Sequence, residues 1–97
     1  MIEFEWDPKK AEGNLRKHRV AFAEAATAFA DPSAITVFDP DHSRSEDRFI
    51  TIGTTQRGRA IMVAHTDRGN AIRIISAREL TRAERKDYEK EIQKRAK

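Results

Sequence analysis

Three β-strand candidates follow one another closely in residues 48–76, RFITIGTTQRGRAIMVAHTDRGNAIRIIS. They are rich in the β-branched and apolar residues that strands favour, and they span Arg48–Thr54, Ala60–Thr66 and Ala71–Ser76. The segments between them have the composition of turns: Gln56-Arg57-Gly58 and Asp67-Arg68-Gly69-Asn70. Connections this short predict an antiparallel meander at the centre of the fold.

The residues before the meander predict one strand and two helices. Apolar residues alternate with glutamates over residues 2–6, which is the period of a short edge strand. Asp7-Pro8 is a typical helix start, so a first helix should run from about Pro8 to His18. Apolar residues at near-helical spacing predict a second helix from about Phe22 to Ala30, closed by Asp31-Pro32.

The remaining segments complete the predicted fold. Ile35–Phe38 is β-prone and leads into a polar loop over residues 39–47. Thr81 and Glu84 form a capping box that opens a helix of about 15 residues. Its apolar residues are sparse, so we expect it to be only partly docked, or docked on something other than its own domain. The sequence therefore predicts one α+β domain over residues 1–97, with two N-terminal helices, an antiparallel sheet of about four strands and a C-terminal helix.

The composition excludes several classes of protein. With no cysteine among 97 residues, disulfide frameworks, thiolate zinc sites and cysteine nucleophiles are ruled out. The chain has no long apolar run and no basic start followed by an apolar stretch, so we expect a cytoplasmic protein with no membrane partner. The formal charge of +3, from 19 Lys and Arg against 16 Asp and Glu, permits a polyanionic partner without requiring one.

The loop before the meander carries residue types that suit acid–base chemistry on a phosphate. His42 supplies an imidazole, Glu46 a carboxylate and Arg48 a guanidinium within seven residues. RNA cleaves itself without a metal when a base removes the 2′-OH proton, cations stabilise the phosphorane and an acid protonates the departing oxygen. Two alternatives stay open. These side chains are solvated loop or capping residues, or a metal is bound by Asp39, Asp41, His42 and Glu46, although that set matches no calcium-loop pattern.

Four further arginines lie on or beside the second and third strands of the meander: Arg59, Arg68, Arg73 and Arg78. Strand alternation points Arg73 away from Ile72 and Ile74, so it should lie on the face opposite this apolar pair. The four could converge with Arg48 on one rim of the sheet, where planar guanidinium groups suit phosphate. The alternative is a solvated face on which they pair with Asp47, Asp67 and Glu79.

For three other conspicuous side chains we favour structural roles. His18 and its neighbour Lys17 come at a predicted helix C-terminus, where the helix dipole favours cations, so capping outweighs RNA contact. Trp6 is interpreted as an anchor for the first helix rather than a base-stacking platform. Tyr88 is interpreted as a packing residue of the last helix.

In combination these residues resemble the BrnT family of toxins over nearly the whole chain. No single matching segment is specific to this family, but the occurrence of so many of its segments in the same order is. The matching segments are Phe4-Glu5-Trp6-Asp7-Pro8 with Lys10-Ala11 and Asn14, Lys17-His18 with Val20 and Phe22, Glu24-Ala25 with Phe29 and Asp31-Pro32, His42-Ser43 with Glu46 and Arg48, Ile52-Gly53, Gly58-Arg59, and Arg73-Ile74-Ile75-Ser76-Ala77-Arg78 followed by Glu84-Arg85 and Tyr88.

The resemblance implies a RelE-like fold and a metal-independent endoribonuclease that cleaves RNA, inhibits translation and uses no cofactor. It also implies neutralisation by a BrnA-like antitoxin with a ribbon-helix-helix segment, in a heterotetramer of two toxins and two antitoxins that meets operator DNA only through the antitoxin. Carried over residue by residue, it places the proposed base on Glu46 or His42. Catalytic roles are expected for Glu46, Arg59, Arg68, Arg73 and Arg78, with His42 and Arg48 in support.

The chain departs from the family pattern between its first two helices. Arg19 stands where the family usually has glycine, and Ala21 stands where a serine N-cap is expected. Losing both should cost about 1–2 kcal/mol of local stability.

Two other functions are compatible with the same residues. In a non-catalytic nucleic-acid-binding module the arginines would only hold phosphates, and affinity would fall with rising salt. In a pure protein-interaction domain the chain would form a stable complex with a partner protein and cut nothing.

Overall fold

The computed structural model describes residues 2–95 and confirms an α+β fold. These residues form five strands and three α-helices, with short 3₁₀ turns at Ala28–Ala30 and Pro40–His42. In chain order the elements are β1 (Glu3–Glu5), α1 (Pro8–His18), α2 (Phe22–Thr27), β2 (Ile35–Phe38), β3 (Arg48–Thr54), β4 (Ala60–Arg68), β5 (Ala71–Glu79) and α3 (Arg82–Arg95).

The strands form one mixed sheet in the order β1-β5-β4-β3-β2. β2 to β5 pair antiparallel, as predicted, but β1 is parallel to β5, with Phe4 beside Ile72. The expectation of an antiparallel sheet of about four strands is therefore wrong. Alternation over residues 2–6 identifies a strand but not its partner, and only the tertiary fold brings β1 to the far edge of the meander.

α1 and α2 pack on one face of the sheet and form the main core with it. Ile61, Val63 and Ile74 of the sheet are buried there against Val20 and Phe22 of the helical segment. Removing these apolar side chains from water is the main source of stability for so small a protein.

α3 packs on the opposite face and covers only one end of it. Tyr88 and Leu80 are buried together with Ala60, and Ile92 packs against them. The Tyr88 hydroxyl donates to Oδ2 of Asp31 at 3.2 Å, so its predicted packing role is confirmed. The partial docking expected for this helix is confirmed as well. We call the part of this face that α3 leaves uncovered the open face.

The ends of the first two helices follow their capping residues. Oδ1 of Asp7 accepts a hydrogen bond from the Lys9 backbone N–H at 2.8 Å, which confirms the predicted N-cap of α1. Arg19 closes α1 with a φ of 60°, a left-handed conformation that glycine adopts without strain. Ala21 precedes α2 and makes no side-chain capping bond. Arg19 and Ala21 therefore stand at the two positions where glycine and serine, respectively, would stabilise the helix end better.

α2 ends three residues earlier than predicted, because the chain passes very close to β3. The helix stops at Thr27 and continues as the 3₁₀ turn Ala28–Ala30. A Cβ added to Gly53 of β3 would lie only 2.8 Å from the Ala28 carbonyl oxygen. Apolar spacing alone does not distinguish an α-turn from a 3₁₀ turn that forms under this contact.

The two longest strands extend past their predicted ends and share a β-bulge. β4 continues to Arg68, and β5 continues to Glu79. Ile74 and Ser76 pair with neighbouring residues of β4, whereas Ile75 between them has no partner in that strand. Bulges redirect side chains, and here both Ile75 and Ser76 border the open face.

Candidate active site

The open face holds a cavity of about 350 Å³, which we call the open-face pocket. β3, β4 and β5 supply an apolar floor that includes Ile50, Met62, Ala64 and Ile75. The rim is polar and contains imidazole, carboxylate and guanidinium groups from His18, Asp39, His42, Arg48 and Arg78. Such a floor suits the flat surface of a base or sugar, and such a rim suits a phosphate.

His42 is held at the rim by a short, well-bonded loop. Its Nδ1 lies 2.8 Å from Oδ2 of Asp39, whose side chain is only 16% exposed. The Ser43 hydroxyl closes the loop by donating to the Asp39 carbonyl at 2.6 Å and accepting from the Arg48 backbone N–H at 2.9 Å. With Nδ1 engaged by the carboxylate, Nε2 is the His42 nitrogen left for a substrate.

Arg48 and Arg78 bring two guanidinium groups to the pocket from β3 and β5. Within residues 2–95 the Arg48 guanidinium makes no hydrogen bond or ion pair. Arg78 donates two bonds of 2.9 Å to the carboxylate of Glu84 on α3. These bonds raise the pKa of Arg78, and together with the Thr81 backbone N–H they lower the pKa of Glu84 to about 2. Arg78 therefore stays charged, and Arg48 needs to release no partner before it binds an anion.

Glu46 lies beside the open-face pocket rather than within it. It lines an adjoining recess together with His42 and Arg48, which border both cavities. The structure therefore brings four of the seven predicted site residues close together: His42, Glu46, Arg48 and Arg78.

Arg59 is bound elsewhere, in a buried ion pair that we call the Glu24–Arg59 lock. Its Nη2 and Nε donate to the two carboxylate oxygens of Glu24 at 2.6 and 2.9 Å, and Glu24 is only 7% exposed. Thr55 donates a further bond to this carboxylate at 2.8 Å, and Arg59 also donates to the Arg19 carbonyl at 2.9 Å. The hydrogen bond from Arg59 lowers the pKa of Glu24. The lock joins α2 to the turn between β3 and β4 and does not line the pocket.

Arg73 and Arg68 also lie outside the lining of the pocket. Arg73 donates to Oε2 of Glu5 on the neighbouring strand at 2.7 Å. It pairs across the ladder with Thr66, which pairs with Arg48, so Arg73 lies on the side of the sheet that alternation predicts. Arg68 is exposed at the end of β4. Of the four arginines that could have converged with Arg48, only Arg78 reaches the same pocket.

Two residues of the rim are not predicted from the sequence. Asp39 is expected only as a member of a metal cluster, although the turn at Pro40 brings Asp39 and His42 within reach of each other. His18 is expected only as a capping residue. No local signal connects His18 with the pocket, because that proximity depends on how α1 packs against β5.

Two further possibilities, a metal site and a membrane-spanning helix, receive no support from the described residues. Within residues 2–95, no three or more His, Asp or Glu side chains are grouped so that they could hold a metal ion, and this includes the cluster around Asp39 and Glu46. Over the same range, no helix has both the length and the apolar character needed to cross a membrane.

Comparison with known families identifies the chain's relatives. A family model described as "Ribonuclease toxin, BrnT, of type II toxin-antitoxin system" matches residues 6–84. The match covers most of the chain and every residue of the pocket rim. The chain belongs to the BrnT family. It is accordingly a ribonuclease toxin, with RNA as its substrate and an antitoxin as its partner.

A solved structure has the same fold as this BrnT chain. The crystal structure of the ribonuclease toxin BrnT from Brucella abortus, at 1.1 Å resolution, superposes with a TM-score of 0.62 and 22% sequence identity. The match covers 84% of this chain and 100% of the Brucella chain. A search of curated protein sequences gave no significant match.

Proposed function

We propose that this BrnT toxin cleaves RNA in the open-face pocket by attack of a 2′-OH on the adjacent phosphodiester, without a metal ion. The observation that carries the proposal is the meeting of the Asp39–His42 pair with Arg48 and Arg78 around one cavity. Together they supply a proton acceptor and two permanent cations, which are the groups that this reaction needs.

His42 acts as the general base in this proposal. When its Nδ1–H donates to Asp39, the lone pair of Nε2 is free to accept the 2′-OH proton. The carboxylate fixes the orientation of the ring and stabilises the imidazolium that forms. Glu46, in the adjoining recess, is the alternative base, and its neighbour Arg48 borders both cavities.

The two pocket arginines stabilise the phosphorane, whose equatorial oxygens carry the developing charge. Arg48 binds first, because its guanidinium is free of other partners within residues 2–95. Arg78 shares its donors between the phosphate and Glu84, whose side chain is 34% exposed. Solvent access makes this exchange possible, since exposed ion pairs are weak.

The other expected arginines receive roles that follow from their contacts. Arg68 and Arg73 contact phosphates that flank the cut, because Arg73 lies beyond Arg48 on the same side of the sheet and Arg68 is exposed nearby. Arg59 supports the fold through the Glu24–Arg59 lock.

The antitoxin inhibits by covering the open face. We propose a BrnA-like partner with a ribbon-helix-helix segment, which would assemble as two toxins and two antitoxins and bring operator DNA only to the antitoxin. The wider RelE-like relationship and a cytoplasmic site of action belong to the same proposal. The open face supports this proposal, because an uncovered face of a β-sheet bordered by cationic side chains suits either RNA or a competing protein.

The test is cleavage of labelled RNA by purified protein in the presence of EDTA. We expect the wild type to produce fragments ending in a 2′,3′-cyclic phosphate. His42→Gln and Arg78→Ala should each slow cleavage on the order of 100-fold. Arg85→Ala is the matched control, because this exposed arginine lies one residue from Glu84 and does not line the pocket.

Three outcomes would count against the proposal. Absence of fragments from the wild type in EDTA contradicts metal-independent cleavage. Equal cleavage rates for the wild type and both pocket variants would mean that the reaction takes place outside the open-face pocket. RNA binding without cleavage, with an affinity that falls as salt rises, supports the non-catalytic nucleic-acid-binding module instead.

A further inference from the structure

His18 is the one proton-exchanging side chain of the pocket rim that the proposed mechanism leaves unused. It lies at the C-terminal end of α1 and lines the pocket beside β5, whereas His42 lines it from the loop before β3. The floor between them is three strands wide, which is roughly 10 Å at the usual strand spacing. Two imidazole side chains at the borders of such a floor can reach a phosphate from two sides.

The helix that carries His18 is held against β5 by a side-chain contact. β1 pairs only with Ala71–Arg73, so it leaves the edge of β5 at Ala77 without a strand neighbour. The Asn14 side chain takes that place, because its Nδ2 donates to the Ala77 carbonyl at 2.9 Å and its Oδ1 accepts from the Ala77 N–H at 3.0 Å. Residues four apart share a helix face, so His18 lies one turn along the face that Asn14 presents to β5.

The other groups of the rim are unsuited to giving up a proton. Hydrogen bonding to Glu84 raises the pKa of Arg78, and arginine stays protonated in proteins in any case. Asp39 is engaged with Nδ1 of His42. Of the side chains that line this pocket, His18 is therefore the remaining candidate for protonating a leaving group.

We propose that His18 is the general acid of the cleavage reaction, a role that rests on the proposed function and on His42 as the base. The 2′-oxygen forms a bond to phosphorus and gives its proton to Nε2 of His42. The bond from phosphorus to the 5′-oxygen breaks, and that oxygen takes a proton from the His18 imidazolium. The products are a 2′,3′-cyclic phosphate and a 5′-hydroxyl, and the two histidines have exchanged protonation states.

The test uses a substrate whose leaving group needs no proton. An oligonucleotide carries a 5′-bridging sulfur at the linkage that the wild type cuts in ordinary RNA, so that a thiolate departs. We expect His18→Gln to slow ordinary RNA cleavage by about 100-fold or more, and sulfur-substrate cleavage by less than about 5-fold. His42→Gln should slow both substrates, because the 2′-OH still has to lose its proton.

Lys17→Gln is the matched control, because it removes a cation from the same helix end without touching the pocket. His18→Asn is made beside His18→Gln, and the comparison is taken from the variant whose thermal unfolding midpoint matches that of the wild type. Equal slowing of both substrates by the His18 variant, or no slowing of ordinary RNA, overturns the inference and leaves the proposed function intact. A wild type that cuts neither substrate overturns the proposed function, and the inference with it.

Discussion

The Glu24–Arg59 lock and the open-face pocket both pair an arginine with a glutamate, but in different surroundings. In the lock the Glu24 side chain is 7% exposed, and two nitrogens of Arg59 donate hydrogen bonds to its two carboxylate oxygens. At the pocket, the side chain of Arg78 and that of its partner Glu84, which does not line the cavity, are 38% and 34% exposed. A buried pair cannot separate without leaving a charge in a poorly solvated place, whereas an exposed arginine can exchange a carboxylate for a phosphate.

This difference divides arginines that look alike in the sequence into two groups. Arg59 holds the fold together, and the pocket arginines are available to a ligand. Breaking each region should therefore change a different measured quantity, stability for the lock and cleavage for the pocket.

The largest effect is expected on stability, from Arg59→Ala. Among residues 2–95, the change leaves the buried Glu24 carboxylate with only the Thr55 hydroxyl as a side-chain hydrogen-bond donor. The Arg59 side chain is 27% exposed, so we expect a loss of about 3 kcal/mol, at the lower end for a buried pair. Chemical denaturation measures this loss, and the thermal unfolding midpoint should fall by about 12–24 °C.

Arg57→Ala is the control for the lock. Arg57 approaches the same Glu24 carboxylate only to 4.0 Å and is 74% exposed, so its loss should change stability by less than about 0.5 kcal/mol. Were Arg59→Ala to unfold like the wild type but cut RNA far more slowly, Arg59 would belong to the active site and the division would be wrong.

The second prediction concerns Arg48→Ala in the pocket. Because the Arg48 guanidinium makes no hydrogen bond to other residues within 2–95, its removal should cost little stability. Losing one charged donor to the phosphorane should slow cleavage of labelled RNA about 100-fold. Arg16→Ala, which removes an arginine that is 76% exposed on α1, should cut at the wild-type rate. A large fall in the unfolding midpoint of Arg48→Ala would assign this arginine to the fold.

A third, smaller effect is a dependence of stability on pH at the Arg78–Glu84 pair. Glu84 has a pKa of about 2 in the folded chain, against its ordinary value of 4.5. Because the folded pKa is lowered, the pair stabilises the fold above about pH 4.5, and this contribution is lost as the pH falls towards 2. One third of the side chain is exposed, so solvent screening reduces the contribution to about 1 kcal/mol at neutral pH.

Urea unfolding of wild type and Glu84→Gln at several pH values measures this contribution. The difference in unfolding free energy should be constant from pH 7 to about pH 5 and should shrink below it. A difference that stays constant down to pH 2.5 would contradict the lowered pKa of Glu84, because a carboxyl group with the same pKa in the folded and unfolded chain adds no pH dependence to stability.

Local signals explain how much of the fold is predictable. The bounds of α1 are predicted residue for residue, because Asp7-Pro8 starts the helix and the chain reverses at Arg19. β3 is likewise bounded by turn residues on both sides. The partner of β1 and the unpaired Ile75 are not predictable, because both depend on how distant segments meet.

The candidate site shows the same limit. His42, Glu46 and Arg48 are found together because one loop and the strand after it carry all three. His18 lies at the rim on the same helix as Asn14, which bonds to the free edge of β5 at Ala77, and no sequence pattern specifies that contact. Sequence also cannot separate Arg59 from Arg78, because burial and partner choice are properties of the folded chain.

The smallest effect is expected at Arg19, which follows His18 of the pocket in sequence and is bonded to Arg59 of the lock. Arg19 adopts a φ of 60°, which strains a side chain with a Cβ, and its carbonyl accepts a bond from Arg59 of the lock. Arg19→Gly keeps that carbonyl and removes the strain, so the free energy of unfolding should rise by about 0.5–1 kcal/mol. Denaturant unfolding measures the gain, and RNA cleavage should stay at the wild-type rate because Arg19 does not line the open-face pocket. A gain in stability accompanied by slower cleavage would mean that the Arg19 turn sets the position of His18, and that the lock and the pocket are coupled.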